Sequence, residues 1–217
     1  MRFADRDEAG EALAKRLLTF HLPEPVVVLA LPRGGVPVGA VVARALGAML
    51  DLVLVRKIGV PWQPELAVAA VVEGEPPEII IDEEVRRSAG VDAEYIGSQA
   101  ERELIEIARR RHLYLQGRAP ADVDGRTVIV VDDGIATGTT MRAALKALRK
   151  RHPARLVLAV PVAPADTLRA LRGEVDQVVC LAQPLPFHAV GEHYVDFHQV
   201  GDGEVIAALD AARSMRS

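Results

Sequence analysis

The chain has 217 residues, of which 50% are hydrophobic, and a formal net charge of −4 at neutral pH. This length and apolar content suit one globular domain with a substantial core. The mild negative charge argues against electrostatic binding to nucleic acid, which requires a basic face.

The sequence gives no indication of a membrane span or of a disulfide-bonded secreted domain. The longest apolar stretch, residues 25–49, is interrupted by prolines, adjacent glycines and two arginines, so it is too polar to cross a bilayer. The N-terminus turns acidic at Asp5 and lacks an apolar signal-peptide core. Cys180 is the only cysteine, which excludes an internal disulfide, and it is expected in the core. We therefore expect a cytoplasmic protein.

The first half of the chain carries both helical and strand-like patterns. Apolar residues at helical spacing predict a first helix over 5–18, which Pro23 and Pro25 bring to an end. Continuous β-branched runs, typical of strands buried on both faces, follow. The predicted elements are a strand over 26–31, a helix over 36–47, a strand over 51–56, strands over 67–73 and 78–81 in a candidate hairpin, and a long helix over 92–115.

The second half repeats a strand–helix order. After a loop over 117–125, the predicted elements are strand 127–132, helix 139–151, strand 155–161, helix 164–172, strand 176–182, an irregular segment and a helix over 202–213. Strands that alternate with helices imply parallel pairing with right-handed crossovers. We therefore expect an α/β fold: a single domain over 1–217 with an open, mainly parallel twisted sheet flanked by helices.

The most informative segment, residues 128–140, joins an apolar strand to a helix through two adjacent acids. Asp132 and Asp133 follow the strand, so we expect them at the carboxyl edge of the sheet, where open α/β sheets bind ligands. Adjacent carboxylates repel each other, so the pair needs cations or hydroxyl donors, such as the vicinal hydroxyls of a sugar. Residues 136–140 then lead into a helix N-terminus, where free N–H groups and the dipole favour an anion.

An ordinary helix cap by an Asp or Thr side chain is the alternative explanation of this segment. A cap does not account for two acids, a glycine that permits close approach and three threonines within nine residues. The segment therefore predicts a sugar-phosphate site, whose loop consists of Gly134, Ile135, Ala136, Thr137, Gly138, Thr139 and Thr140.

A second candidate loop, Arg33-Gly34-Gly35, follows the first predicted strand. Its glycines allow the backbone to come close to a ligand, and Arg33 offers a fork of donors that suits phosphate oxygens. Taken alone, the same residues would also suit an ordinary strand-to-helix turn.

Together these loops resemble the donor site of the type I phosphoribosyltransferases. Residues 128–140 resemble the phosphoribosyl diphosphate signature of that family, in which a strand, two acids and a Thr-Gly-x-Thr loop follow one another. The resemblance implies that Asp132 and Asp133 hold the ribose hydroxyls and that residues 136–140 hold the 5-phosphate.

Two further segments extend the resemblance. The Arg33 loop resembles the family's pyrophosphate loop, and Arg56-Lys57 resembles the Arg-Lys pair that orotate-type members place near the diphosphate. The three segments occur in family order. The resemblance implies a core over about 26–182, a small hood formed by residues 1–22 and 183–201, and a helical insertion over about 82–116.

The resemblance also implies a reaction. A phosphoribosyl group passes from phosphoribosyl diphosphate to a nitrogen acceptor, expected to be a nucleobase, and diphosphate is released. The cofactor is Mg²⁺, held mainly by the donor diphosphate near the two acids rather than by dedicated protein ligands. Arg33 and Lys57 would stabilise charge on the diphosphate, so they are the expected catalytic residues together with Asp132 and Asp133.

The closing loop of such a site is expected between residues 58 and 115. Residues 59–64 are its candidate hinge or tip, and the helix over 92–115 is a candidate lid.

The sequence departs from the family pattern at two positions, and the first of them bears on the acceptor. Ala136 stands where members that act on 6-oxopurines commonly carry an Asp, which disfavours hypoxanthine and guanine. Gly134 is smaller than the usual apolar residue, so a more mobile loop is expected. Aromatic residues that either stack on a base or pack the hood are Trp62, Phe187, Tyr194 and Phe197.

Two polar clusters have simpler explanations. His188, His193 and His198 recur every five residues, a spacing that fits neither one helix face nor one strand face, so a zinc site is not expected. The arginines at 109–111 share a helix with several glutamates, so a solvated, paired face is expected.

Two functions remain open from the sequence. The first is a Mg²⁺-dependent phosphoribosyltransferase, and the second is a non-catalytic sensor of phosphoribosyl diphosphate or a nucleotide. Arg33 and Lys57 favour the enzyme, and a closing loop competent to cover the site is the third feature that distinguishes an enzyme from a sensor. Family members are frequently dimers, so a homodimer is also left open.

Overall fold

The chain forms two β-sheets flanked by helices. The computed structural model describes residues 1–214. Over that range the strands are β1 (Val26–Ala30), β2 (Met49–Leu52), β3 (Val55–Val60), β4 (Gln63–Val72), β5 (Glu78–Ile81), β6 (Thr127–Val131), β7 (Arg155–Val162) and β8 (Gln177–Ala182). The helices are α1 (Arg6–Leu17), α2 (Gly35–Leu46), α3 (Glu83–Ser88), α4 (Ala93–Leu115), α5 (Thr139–Arg149), α6 (Ala165–Leu171) and α7 (Asp202–Ser214).

The larger sheet is parallel and forms the centre of the fold. Its strand order is β2-β1-β6-β7-β8, and every neighbouring pair is parallel. Helices α1 and α2 pack on one face, while α5 and α6 pack on the other. Because both faces are covered, the strands are apolar almost throughout, and all five residues of β6 are buried. The expected α/β fold with an open parallel sheet is confirmed.

Capping residues set several helix boundaries. The Asp5 side chain accepts a hydrogen bond from the Glu8 N–H at 2.9 Å, so α1 begins at Arg6. Gly47 adopts a left-handed conformation with a φ of +62°, which ends α2 where the sequence predicts. Asp82 caps α3, a short helix that the sequence pattern did not predict.

The smaller sheet is antiparallel, and here one prediction is wrong. Its strand order is β3-β4-β5. The predicted strand over 51–56 is two elements, because the chain leaves the parallel sheet after Leu52 and starts β3 at Val55. Strand β3 pairs with β4, and β4 pairs with β5 as the predicted hairpin, with Val72 opposite Glu78. A continuous apolar run does not reveal that its residues belong to different sheets.

Helix α4 packs against the smaller sheet. Its apolar face, which includes Ile96, Ala100 and Ile107, is buried with residues of β3, β4 and α7. This face is part of the core, so movement of α4 as a lid would expose buried apolar residues. The turn between β3 and β4 is then the better candidate for a closing segment.

A buried ion network joins α4 to both sheets. Arg111 donates to Asp51 of β2 at 3.1 Å and to Glu73 at 2.7 Å. The expectation of a solvated arginine face is therefore wrong for Arg111, because its carboxylate partners lie inside the fold. The expectation holds for Arg109 and Arg110, which both pair with Glu106 on the surface of the same helix.

The N-terminal segment and residues 183–201 lie together. Phe3 and Tyr194 form an isolated parallel bridge, and both are buried with Ala9. The two segments expected to form the hood thus contact each other. Among the described helices, none has the length and apolar character that crossing a membrane requires.

Candidate active site

Two loops meet at the carboxyl edge of the parallel sheet. Strands β1 and β6 are neighbours, so the loops that follow them lie side by side. A Cβ atom on Gly35 would lie 2.9 Å from Cα of Asp132, and one on Gly34 would clash with the Asp133 carboxylate. Only glycine fits at these two positions, which brings the predicted pyrophosphate loop into contact with the acid pair.

The two acids have different surroundings. Asp133 is buried, and its Oδ2 accepts a hydrogen bond from Nε of Arg6 at 2.8 Å. The Tyr194 hydroxyl donates to the backbone carbonyl of Asp133 at 2.6 Å. Asp132 is only half-buried, and its Oδ1 accepts from the Asp133 N–H at 2.9 Å. Asp133 is thus held by the protein on two sides, while Asp132 makes no ion pair with a described residue.

Burial and mutual repulsion shape the ionisation of this pair. Burial, followed by the charge of Asp133, raises the pKa of Asp132 well above its usual range. Burial also raises the pKa of Asp133, although the hydrogen bond and charge of Arg6 oppose that shift. The pair therefore holds a proton more readily than an isolated carboxyl, and a cation or hydroxyl donors would relieve the repulsion.

The predicted phosphate loop is held by hydrogen bonds at Ile135 and Ala136, and its threonine positions are at least partly exposed. Ile135 is buried, and its N–H donates to the Val162 carbonyl at 2.9 Å. The Thr167 hydroxyl of α6 donates to the Ala136 carbonyl at 2.8 Å. Exposed and half-exposed positions follow at Thr137, Thr139 and Thr140.

Gly138 begins α5 without a capping side chain. It has a φ of +77° and makes no side-chain capping hydrogen bond. An ordinary Asp or Thr cap, the alternative explanation of this segment, is therefore not what the structure contains. The first N–H groups of α5 are free of a capping side chain, which suits an anion at this end of the helix.

Gly134 has a packing reason. A Cβ atom there would lie 2.5 Å from Cγ1 of Val190 and 2.9 Å from Cγ1 of Val162. The expectation that this glycine loosens the loop is not supported, because a residue of the 183–201 segment fills the space that a larger side chain would use.

The two basic residues of β3 point to opposite faces of the smaller sheet. They lie within β3 rather than after a strand of the parallel sheet, which corrects the expected position. Lys57 is exposed and stands opposite Ala70, a residue of the core that contains α5. Arg56 stands opposite Val71, and its Nε lies 2.6 Å from Oε2 of Glu103 on α4.

A small cleft of about 20 Å³ connects the two loops, and two arginines line it. Its lining includes Pro32 of the pyrophosphate loop, Thr140 of the phosphate loop, Arg56 and Arg110. Arg110 was not predicted as a site residue. The sequence signal for it is weak, because its paired glutamate on α4 favours a surface role.

Arg33 stands at the rim of the site. It is half-exposed, and its Nη1 lies 3.7 Å from Oδ1 of Asp202, at the beginning of α7. The long separation indicates a loose ion pair, so the guanidinium is available to a ligand.

Two larger cavities differ in their relation to these loops. One of about 570 Å³ lies between the smaller sheet and α5, where Thr137 and Thr139 form part of its wall with Arg142 and Lys146. Another of about 400 Å³ lies at the start of β2, lined by Met49 and other residues. The start of a strand is opposite to the carboxyl edge, so the second cavity is remote from the candidate site.

The aromatic residues have distinct settings. Tyr194 is 1% exposed and packs on Phe3, with ring centroids 5.6 Å apart, so it belongs to the core. Phe187 is half-buried and stacks on His193 at 5.6 Å. Phe197 covers the Arg6 guanidinium at 4.1 Å. Trp62 is 67% exposed at the turn between β3 and β4.

The histidines do not converge on a common point. His198 contacts Asp196 at 3.0 Å and Glu204 at 2.9 Å, and these hydrogen bonds raise its pKa. Within residues 1–214, no group of three or more His, Cys, Asp or Glu side chains is arranged to hold a metal ion.

The chain is similar in sequence to known proteins of one family. The chain matches the family model described as a phosphoribosyl transferase domain over residues 6–195. It is 45% identical over 210 residues to Rv0571c of Mycobacterium tuberculosis, whose name places it among the phosphoribosyl transferases; the match covers 97% of this chain and 47% of that protein. The chain therefore belongs to the phosphoribosyl transferase family, and the expected family is confirmed.

Solved structures show the same architecture. The crystal structure of TT1426 from Thermus thermophilus is 44% identical, with a TM-score of 0.84, over 96% of this chain and 98% of that chain. The AQ2163 protein from Aquifex aeolicus shares the fold alone, at 12% identity and a TM-score of 0.50 over 81% of this chain and 72% of that one. The chain spans about half the length of the curated relatives it matches.

Proposed function

We propose that this domain transfers a phosphoribosyl group from phosphoribosyl diphosphate to a nitrogen acceptor, in the simplest case a nucleobase, and releases diphosphate. The observation that carries the proposal is the contact of Gly34 and Gly35 with Asp133 and Asp132. A loop suited to diphosphate and a loop suited to ribose phosphate thus share one edge of the sheet. A donor that carries both groups requires this arrangement.

The 5-phosphate would bind at the beginning of α5. Residues 134–140 form the loop, and the amides of 136–140 would meet the phosphate oxygens. The left-handed Gly138 and the uncapped first turn support this assignment. Hydroxyls of Thr137, Thr139 and Thr140 add donors.

The ribose would bind at the acid pair. Asp132 is the better acceptor for its hydroxyls, since Asp133 already accepts from Arg6. We retain Asp133 as a site residue because its carboxylate borders both Gly34 and Asp132.

The diphosphate would bind at Arg33, Gly34 and Gly35, with Arg56 beside them; Lys57, on the opposite face of β3, would have to turn toward the loops to join them. Arg56 and Arg110 at the small cleft between the two loops support a basic boundary to this site, although each is paired with a glutamate. Arg33 and Lys57 would stabilise the charge that grows on the leaving diphosphate, which lowers the barrier to transfer.

The residues present fit Mg²⁺ held in part by the donor. Mg²⁺ prefers oxygen ligands and keeps several waters, so one carboxylate together with phosphate oxygens suffices. Asp132 is that carboxylate, because burial and the neighbouring Asp133 disfavour its charged form and a cation would stabilise it. When bound, the ion would neutralise diphosphate oxygens and improve the leaving group.

The acceptor would lie under the hood of residues 1–22 and 183–201. Phe187 is the aromatic residue of this segment best placed to meet a base, because Tyr194 is buried and Phe197 covers Arg6. Ala136 offers no carboxylate to a purine N7, which continues to disfavour 6-oxopurine acceptors.

The tip of the β3–β4 hairpin, residues 59–64, would close the site. Trp62 at its tip is exposed, so its ring can contact a bound ligand when the turn closes.

We also propose the division of the single domain into a core over about 26–182, the hood, and a helical insertion over about 82–116. A cytoplasmic homodimer with small-molecule partners and without a role in binding nucleic acid or membranes completes the proposal.

The alternative is a non-catalytic sensor of phosphoribosyl diphosphate or a nucleotide. Incubation of the protein with phosphoribosyl diphosphate, Mg²⁺ and a panel of nucleobases, followed by measurement of diphosphate, separates the two. Release that depends on one base supports the enzyme. Donor binding without release for any base favours the sensor.

A further inference from the structure

Helix α1 carries a buried arginine on its apolar face. Arg6 is 8% exposed and shares that face with Ala9, Leu13 and Leu17, which follow at helical spacing. A buried guanidinium is costly unless charged or polar partners surround it. Its partners therefore indicate why the charge lies inside the fold.

Arg6 connects three separate segments. Its Nε donates to Oδ2 of Asp133 at 2.8 Å, and its Nη1 donates to the His198 carbonyl at 3.0 Å. Its guanidinium lies over the Phe197 ring at 4.1 Å. Helix α1, the acid pair and the 183–201 segment are thus held together by one side chain.

The same contacts enclose Asp133. Arg6 occupies one carboxylate oxygen, Tyr194 donates to the backbone carbonyl at 2.6 Å, and Gly34 packs directly against the carboxylate. The position of Gly34 therefore depends on where the Asp133 side chain is held.

We propose that Arg6 is a positioning residue of the donor site, which holds Asp133 so that Asp132 and the Gly34–Gly35 loop face the donor in a fixed arrangement. The inference rests on the proposed function. Arg6 acts through Asp133 and does not itself touch the donor, so its effect should disappear once Asp133 is changed.

Calorimetric titration with phosphoribosyl diphosphate and Mg²⁺ tests the role of Arg6. Arg6→Gln is expected to raise the dissociation constant of the donor about tenfold. Arg6→Lys, which keeps the charge, is expected to have a dissociation constant within about threefold of the wild-type value. Arg2→Gln is the matched control, because Arg2 donates to the Tyr194 carbonyl at 3.3 Å rather than to the acid pair. A folded Arg6→Gln protein that binds the donor like the wild type overturns the inference.

A double-mutant cycle separates positioning from general structural support. In an Asp133→Asn background, Arg6→Gln should change donor affinity by less than about twofold, because the residue through which Arg6 acts is already altered. A further tenfold loss in that background overturns the inference. If Arg6→Gln alone does not fold, the comparison of Asp133→Asn with the double variant decides in the same way, since the double variant leaves no unpaired buried charge.

The failure of this inference and that of the proposed function differ. Loss of donor binding in Asp132→Asn, with binding retained in Arg6→Gln, overturns only the role of Arg6. A wild-type protein that does not bind the donor overturns the donor site and this inference with it.

Discussion

A Cβ atom on Gly134 would lie 2.5 Å from Cγ1 of Val190, so the loop after the acid pair is packed directly beneath the 183–201 segment. Gly134→Ala is therefore expected to lower the free energy of unfolding by about 1–3 kcal/mol, the usual cost of overpacking. Urea denaturation measures the change. Val190→Ala in the same chain removes the clash, so the double variant should recover part of the lost free energy of unfolding. A Gly134→Ala protein as stable as the wild type would show that Val190 moves aside without cost.

The two members of the acid pair should respond to neutralisation to different extents. The folded pKa of Asp132 is raised, so folding disfavours its charged form, and this cost is present above the folded pKa. Asp132→Asn should therefore raise the melting temperature at pH 8. The gain should shrink as the pH falls through the folded pKa, because the wild type then takes up the proton.

Asp133→Asn is the counterpart of that variant. It removes a carboxylate whose pKa burial also raises, but Arg6 opposes that rise, and the substitution leaves the buried Arg6 guanidinium without its partner. Asp133→Asn should therefore have a lower melting temperature at pH 8 than Asp132→Asn. Melting temperatures of both variants, recorded from pH 5 to pH 8, check the difference. Equal changes in both variants would contradict the different surroundings of the two carboxylates.

Arg111 should be the most important arginine of α4 for stability. It bridges Asp51 and Glu73 inside the fold, so Arg111→Met should cost about 3–5 kcal/mol. Arg109→Met, the same change on the surface of the same helix, should leave stability nearly unchanged. Chemical denaturation of the two variants measures the difference. Similar losses of stability in both would show that the Arg111 network contributes no more than a surface ion pair.

Gly138 should matter for the donor beyond its backbone conformation. Gly138 and Gly47 have φ angles of +77° and +62°, so alanine at either position should cost about 1–2 kcal/mol. A Cβ atom on Gly138 would also lie 2.7 Å from Cγ2 of Thr167, whereas one on Gly47 meets nothing within 4 Å. Only Gly138→Ala should weaken donor binding, by about tenfold or more, in a fluorescence or calorimetric titration.

Much of the fold could be predicted from the sequence because its signals are local. Strand runs, helical spacing and Gly47 depend on neighbouring residues, and the predicted helices end within about two residues of the observed ones. The run over 51–56 failed, since its division between two sheets depends on the distant partners β1 and β4.

The candidate site shows the same limit. Asp132 and the Gly138 loop carry their chemistry in a short motif, so they could be identified in sequence. Arg6 lies 127 positions from Asp133 and was not identified, although an arginine on the apolar face of a predicted helix is a detectable signal. Gly134 could be noticed but not explained, because its explanation is Val190, which reaches it only in the folded chain.

The donor site is tested most directly by calorimetric titration of phosphoribosyl diphosphate, with Mg²⁺ present, into the wild type and into Asp132→Asn. We expect saturable binding of one donor per chain with a dissociation constant below about 1 mM, and at least about tenfold weaker binding by the variant. A melting temperature of Asp132→Asn at or above that of the wild type excludes misfolding as the cause of that loss. Absence of binding to the wild type, or equal affinity in the two proteins, would contradict the assignment.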